Sequence, residues 1–334
     1  MMKVSIIIPT FNRGKYIGIT IQSFLELNYP KENFEIIVAN NNSTDNTEEV
    51  INQYINNSFG VKLHYVFETR QGVHYARNTA ARMAKFELLY FTDDDMIADN
   101  ELLNEIVKPF QFDNRVAITT GKVLPKWEEK PPKWILKHCN NHLLSLLNPN
   151  YDFVIARRLD YLYSCHLAIK KSVFFEVEGF NPEYTKNKYM GDGETGLNIK
   201  TKDLGYKFGF NGQSLIYHII PKSRFTQKYL NNRLANAGRA HSYSAFKAIP
   251  NKIYLLKRIA KNLLFHLPFE IVKSLLKPIA VRDFSLYRFF IATFYYYFGS
   301  ISFEIEILIN PRLKKFVLKQ DWLTNDTEFD SIKV

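Results

Sequence analysis

VSIIIPTFNRGKYIGITIQSFLELNYPKENFEIIVAN, residues 4–40, sets two apolar runs on either side of a helical pattern. VSIIIPT (4–10) is continuously apolar and β-branched and closes on Pro9-Thr10, which predicts a strand buried on both faces. From Lys15 to Leu27, Ile17, Ile21, Phe24 and Leu25 recur at helical spacing. FEIIVAN (34–40) repeats the first run. Strand, helix and strand of this kind build a parallel sheet, because parallel neighbours need a crossover that covers one face.

The pattern continues outward. Asp45, with Glu48 three residues on, reads as a capping box for a helix through Val50, Ile51 and Tyr54. KLHYVFE (62–68) predicts a third strand, residues 73–85 a helix, and ELLYFT (87–92) a fourth strand. Asp99 is placed to cap a helix carrying Leu102, Leu103, Ile106 and Val107. The expected class is α/β, with a mostly parallel central sheet flanked by helices. Ligands of such sheets sit beyond the carboxyl ends of the strands. That edge collects Thr10, Asn12 and Arg13, the run Asn40-Asn41-Asn42-Ser43, and Asp93 to Asp95.

After Val116 the rhythm changes. AITTGKVLP (117–125) is strand-like, and KWEEKPPKW (126–134) is a Pro-rich polar loop with Trp127 and Trp134. Residues 135–148 look helical, and 159–180 read as strand, turn and short helix ending near Gly179. An acidic loop then precedes an amphipathic helix closed by Gly205, and SLIYHIIP (214–221) is a last strand. One catalytic-sized domain is expected over 1–245, in halves 1–115 and 116–245, followed by a helical, basic, aromatic region over 246–334.

With 46% hydrophobic residues the chain is not disordered. Cys139 and Cys165 cannot build a disulfide framework, and neither has metal-ligand spacing, so a reducing compartment is expected. The apolar run of MMKVSIIIPTFN is too short for a signal-peptide core. The net charge of +11 belongs to the last third: residues 221–334 hold 19 Lys and Arg against 8 Asp and Glu. That asymmetry points to an anionic partner, and a solvated basic face is the alternative.

From Ile253 to Ile279 apolar residues recur at helical spacing among Lys257, Arg258, Lys261, Lys273 and Lys277. This suits a helix lying in a membrane interface. FFIATFYYYFGSISF (289–303) lacks charge but falls short of the ~20 residues of a spanning helix. The expectation is a cytoplasmic protein in peripheral contact with the anionic inner face of the cell membrane. A subdomain packed on the catalytic domain, or on a second subunit of a homo-oligomer, is the alternative. The aromatic residues are clustered rather than interleaved with cations, which argues against nucleic acid.

Two acidic stretches carry the chemistry. In YFTDDDMIAD (90–99), Asp93 and Asp95 stand at i and i+2, so on an extended backbone both can face one divalent cation. The alternative is aspartates that cap the next helix and face water. In GDGETG (191–196), Asp192 or Glu194 could act as a general base, or could simply favour a helix N-terminus.

VSIIIPTFNR, EIIVANNNSTDNT, RQGVHYARNTAA, YFTDDDM, GKVLPKWEEKPPKW, GDGETGL and YHIIP occur in that order. This ordered set resembles an inverting family-2 glycosyltransferase of the GT-A (nucleotide-diphospho-sugar transferase) fold, over roughly residues 3–245. The resemblance implies a nucleoside-diphosphate sugar donor, with uridine the expected base, and Mn2+ or Mg2+ as cofactor. It implies that Pro9, Thr10 and Asn12 touch the nucleoside. Asn40 and Asn41 stand where the family has aspartates reading the base, a departure. Arg77 and Asn78 match the family's helix Arg-Asn, and Arg70 is a second cation for the phosphates. Asp95 would ligate the metal, Asp93 would contact ribose or a metal-bound water, and Asp94 would approach the donor sugar. Ser164, Cys165 and His166 would line the sugar site, and His218 could reach the metal. Glu194 is the implied base, with Asp192 the runner-up. The acceptor would be a hydroxyl of a cell-surface glycan or lipid-linked oligosaccharide. A non-catalytic sugar-nucleotide or glycan-binding protein is the other reading, to which the two asparagines lend weight. The loop Pro-Thr-Phe-Asn-Arg is not the glycine-rich phosphate loop of a nucleotidyltransferase.

Overall fold

The structure, a computed structural model, describes residues 1–58, 60–159, 161–182 and 192–324. Its first half runs β1 (Val4–Thr10), α1 (Gly14–Leu25), β2 (Phe34–Asn40), α2 (Thr47–Ile55), β3 (Lys62–Phe67), α3 (Val73–Met83), β4 (Leu88–Thr92) and β5 (Met96–Ala98). Short helices α4 (Leu102–Ile106) and α5 (Lys108–Phe112) lead to β6 (Val116–Trp127), α6 (Lys133–His138), β7 (Phe153–Ala156), β8 (His166–Lys170) and α7 (Lys171–Glu176). Then come α8 (Gly193–Asp203), β9 (Lys207–Ile220), α9 (Gln227–Ala248), α10 (Lys252–Lys261), α11 (Leu267–Ala280), α12 (Tyr287–Ile309) and α13 (Pro311–Leu318).

The nine strands form one sheet in the order β3-β2-β1-β4-β8-β6-β9-β5, with β7 also on β9. The pairs among β1 to β4 are parallel, and every residue of β1 and β2 is buried. Side chains alternate across the sheet, so Ile6 and Ile8 enter one core while Ile7 enters the other. That two-sided burial is why these runs are apolar without alternation. Beyond β4 the sheet is mixed: β8 lies antiparallel to both β4 and β6, and β5 lies antiparallel to β9.

Several local expectations shift. Asp45 accepts from Thr47 N at 3.1 Å and from Gly14 N at 3.2 Å, so it joins the starts of α2 and α1 rather than forming a box with Glu48. The predicted helix over 135–148 shrinks to α6 and one 3-10 turn. The Asn141 side chain accepts from Leu143 N at 3.1 Å, and Ser145 takes a positive φ of 55°, which together redirect the chain. The last strand begins at Lys207 rather than near 214. β5 was not foreseen, because three residues are too few for periodicity to register.

A third core of Tyr243, Phe246, Leu255, Phe303 and Ile307 binds the C-terminal helices. α9 and α12 cross where both are thinnest: a Cβ on Gly238 would lie 2.1 Å from Tyr296 O, and one on Gly299 2.2 Å from Ala235 O. Arg258 seals this bundle by pairing with the buried Glu304 carboxylate at 2.7 Å. Gly238→Ala gains about 1 kcal/mol of helix propensity. The clash is with backbone that cannot rotate away, so the variant should lose about 1–3 kcal/mol net. A lowered urea midpoint checks this, and an unchanged or raised midpoint would refute the close crossing. Among the described residues no helix is long and apolar enough to cross a membrane.

Candidate active site

The carboxyl ends of β1 and β4, the start of α3, the turn before β8, the start of α8 and the segment after β9 enclose a cleft of about 430 Å3. Its floor is the turn between β4 and β5, which holds all three aspartates. Each aspartate has a different neighbour. Asp93 accepts from Arg77 Nη2. Asp94 lies 3.6 Å from Arg13 Nε. Asp95 accepts from Arg224 Nη2 at 2.8 Å, and its Oδ2 lies 3.5 Å from His218 Nε2.

The electrostatics separate the adjacent acids. Burial pushes Asp94 above the usual carboxylate range, and the charge of Asp95 adds to that. Burial acts on Asp95 in the same direction. The Arg224 and Arg13 charges outweigh it and hold Asp95 below the usual range. Asp95 is therefore the settled anion of the pair.

His218 is oriented for a cation. Its Nδ1 faces Leu144 O at 2.9 Å, and a carbonyl can only accept, so Nδ1 carries the proton. Nε2 keeps its lone pair and accepts from Arg224 Nη1. One guanidinium thus lies against both the carboxylate and the imidazole. Among the described residues no three His, Cys, Asp or Glu side chains converge as a complete cation cage. An ion at Asp95 and His218 would take its remaining ligands from another molecule.

The opposite wall is α3. Arg77 is 3% exposed, stacks over Phe180 at 5.5 Å, and its Nε has no partner among the described residues. His74 stacks on Phe180 at 4.8 Å, and burial followed by the Arg77 charge lowers its basicity well below normal. Asn78 holds Phe180 through both backbone groups, at 2.9 and 3.0 Å, and so keeps that ring in place.

Glu194 lies in the first turn of α8, lines the cleft and accepts from Ser164 Oγ at 3.3 Å. Asp192 is buried off the cleft, accepts from Asn181 Nδ2 at 2.6 Å, and burial raises its pKa. Glu194 thus opens to the cleft, whereas Asp192 braces the helix start. Gly191 lies outside the described residues.

Pro9, Thr10, Asn41, Arg77, Asp93, Asp94, Asp95, Glu194 and His218 come together at the cleft. Besides Asp192 and Asn78, four residues do not, namely His166, Arg70, Asn12 and Asn40. His166 is fully buried beneath it, with Nδ1 2.6 Å from Tyr90 Oη and Nε2 3.1 Å from Ser214 O, so both nitrogens are occupied. Tyr163, Ser164 and Cys165 line the wall instead. Arg70 is spent on the buried Glu68 carboxylate at 2.8 Å. Asn12 accepts from Thr44 N at 2.7 Å and ties two loops together. Asn40 is buried between Tyr65 Oη at 3.0 Å and Ser43 N at 3.0 Å. Asn41 does reach the cleft, but its amide donates to Arg70 O at 2.6 Å and accepts from Gly72 N at 2.8 Å. Asn40 is thus engaged at both ends of its amide away from the cleft, and Asn41 has both N–H groups donated to backbone carbonyls.

Trp127 packs on Phe225, and Trp134 on Phe289 and Arg288, away from the cleft. Arg224, Tyr229 and Arg233 line the cleft without any signal in the sequence that put them there.

Residues 5–177 match the family model described as glycosyl transferase family 2. Over 105 residues the chain is 33% identical to the poly(ribitol-phosphate) beta-N-acetylglucosaminyltransferase TarS of Staphylococcus aureus, covering 31% of this chain and 18% of that protein. Over 140 residues it is 33% identical to a poly(ribitol-phosphate) beta-glucosyltransferase of Bacillus spizizenii, covering 42% of this chain and 22% of that protein. The matched stretches thus span about a fifth of these relatives. In structure the chain resembles the mannosyltransferase PcManGT from Pyrobaculum calidifontis, solved with GDP-Man and Mn2+. The TM-score is 0.55 at 20% identity, over 75% of this chain and 65% of that one.

Proposed function

The chain belongs to glycosyl transferase family 2 and has the GT-A fold, and from that premise we propose that it is an inverting sugar transferase. It takes a hexosyl or N-acetylhexosaminyl group from a nucleoside-diphosphate sugar, with UDP the expected carrier. The acceptor is a hydroxyl of a cell-surface glycan or lipid-linked oligosaccharide. The observation that carries this reading is one cleft holding Asp95, His218 and Arg77 together with Glu194. The two relatives named for poly(ribitol-phosphate) support a hydroxyl-bearing polymer as acceptor.

Arg77, which lines the cleft beside Asp93, supplies a guanidinium charge for the diphosphate. The carboxylate of Asp95 and the lone pair of His218 Nε2, 3.5 Å apart with a cationic group already against both, fit a divalent ion. Asp95 and His218 would hold Mn2+ or Mg2+, which would supply Lewis-acid neutralisation of the departing diphosphate. Glu194 accepts the proton of the acceptor hydroxyl as that oxygen attacks the anomeric carbon from the side opposite the diphosphate. A single displacement inverts that centre. Asp94 approaches the donor sugar, and Ser164 holds the Glu194 carboxylate in the cleft.

Arg224 occupies the ground that the ion needs. Arg224→Ala should therefore tighten Mn2+ binding to the nucleotide-free protein about ten-fold, because it removes a competing charge. Titration followed by the paramagnetic signal of free Mn2+ checks this, and unchanged or weaker binding would show that the pair is not the ion's site. The function itself is tested by incubating the chain with UDP-sugars, an acceptor glycan and Mn2+. Binding of the donor with no transfer to any surface glycan or lipid-linked acceptor would favour the binding-protein reading.

A further inference from the structure

The C-terminal helices are turned the wrong way for a soluble bundle. α11 presents Glu270, Ser274 and Pro278 to the seam against Phe289 and Phe290 of α12, with the exposed Lys273 and Lys277 at its rim. Phe265, Phe269, Val272, Leu276 and Ile279 recur at three- and four-residue spacing and are 55% to 67% exposed. A helix that packs on protein turns such a stripe inward. Here the polar side packs and the apolar side is left out. Ile253 and Leu256 on α10, and Phe294 and Phe298 on α12, add further exposed apolar side chains. An apolar surface of this extent on a folded chain marks an interaction site.

Charge identifies the occupant. Lys257, Lys261, Lys273, Lys277, Arg282 and Arg288 are all exposed beside these side chains. The only acids between residues 252 and 288 are Glu270 and Asp283. Glu270 already faces Lys273 at 2.9 Å, and Asp283 faces Lys137 at 2.7 Å. A second copy of this chain would bring the same cations against these. An anionic lipid surface complements them, and takes apolar side chains below its phosphates.

We propose that the outward face of α10 and α11 seats in the headgroup layer of an anionic bilayer, with Phe265, Phe269, Leu276 and Ile279 below the phosphates and Lys257, Lys261, Lys273 and Lys277 among them. α9, which packs on α12, also carries Tyr229 and Arg233 into the cleft. Seating this face therefore fixes how the cleft is aimed at the membrane. That consequence rests on the transfer reading, whereas the seating itself does not.

Flotation of the full chain without sugar nucleotide tests it, so the result stands or falls apart from transfer. The vesicles are phosphatidylcholine alone, or with about 30% phosphatidylglycerol. The chain should float with the anionic vesicles only, and should be released by high salt. Phe265→Ser with Phe269→Ser and Leu276→Ser should reduce binding on the order of a hundred-fold. Its melting temperature should hold, because the replaced side chains are exposed. Lys257→Glu with Lys261→Glu and Lys277→Glu should reduce binding by a similar factor. Failure to float with anionic vesicles overturns the proposal. So does flotation unchanged by the serine variant when light scattering shows that the same variant splits a dimer, which would make the face a self-association surface.

Discussion

Asp95→Ala should lower sugar transfer by about a thousand-fold or more, because on the proposed mechanism it removes the anion that would hold a divalent ion against the departing diphosphate. The loss should appear in the rate at saturating donor and should not be recovered by raising Mn2+ into the millimolar range. Folding should survive. Asp95 is 4% exposed next to another buried carboxylate, so its removal relieves a repulsion while it strands Arg224. The melting temperature and far-UV circular dichroism of the variant should therefore stay close to those of the parent. Mn2+ titration provides the second readout: binding should weaken at least about ten-fold both with and without UDP. A variant that transfers sugar within a few-fold of the parent would remove Asp95 from the mechanism.

Glu194→Gln should cut transfer by about a hundred- to ten-thousand-fold, the range for loss of a positioned general base. The amide keeps the shape of the side chain and can still accept from Ser164 Oγ, now 3.3 Å from the carboxylate. Calorimetry should consequently show UDP-sugar binding changed by less than about two-fold, since a general base acts in the transfer step and not in donor binding. The paired control is Asp192→Asn. Its side-chain oxygen can still accept from Asn181, and it does not face the cleft, so transfer should remain within a few-fold. If the asparagine variant is the one that loses transfer while donor binding persists, the base is Asp192 and the assignment of Glu194 is wrong.

The strands that build the cleft were legible because their signal is local. Val4–Thr10 and Phe34–Asn40 appear at the predicted bounds, as an apolar run buried on two faces needs no distant partner to be recognised. Asp93 to Asp95 were legible for a similar reason, since a strand that ends in carboxylates delivers them to the sheet edge. The lining role given to His166 failed because His166 is the first residue of β8, and only the pairing of that strand with β4 brings its ring against Tyr90. The base-reading role given to Asn40 and Asn41 lost its footing on partners far along the chain. Tyr65 takes one amide, and the backbone at Glu68, Arg70 and Gly72 takes the other.

By itself the sequence determined an α/β sheet, the edge at which ligands collect, the acidic turn that floors the site and the helical, basic character of the last third. Each is set by residue spacing along a few turns or strands. The tertiary structure decided which distant residues complete the site. Antiparallel pairing of β5 with β9 puts His218 opposite Met96, so that Ile219 N donates to Asp95 O at 2.9 Å and the following Arg224 reaches Asp95. It also decided which face of α11 is covered. Helical periodicity shows that two faces differ, but only the packing of Glu270, Ser274 and Pro278 against α12 leaves the apolar one outside.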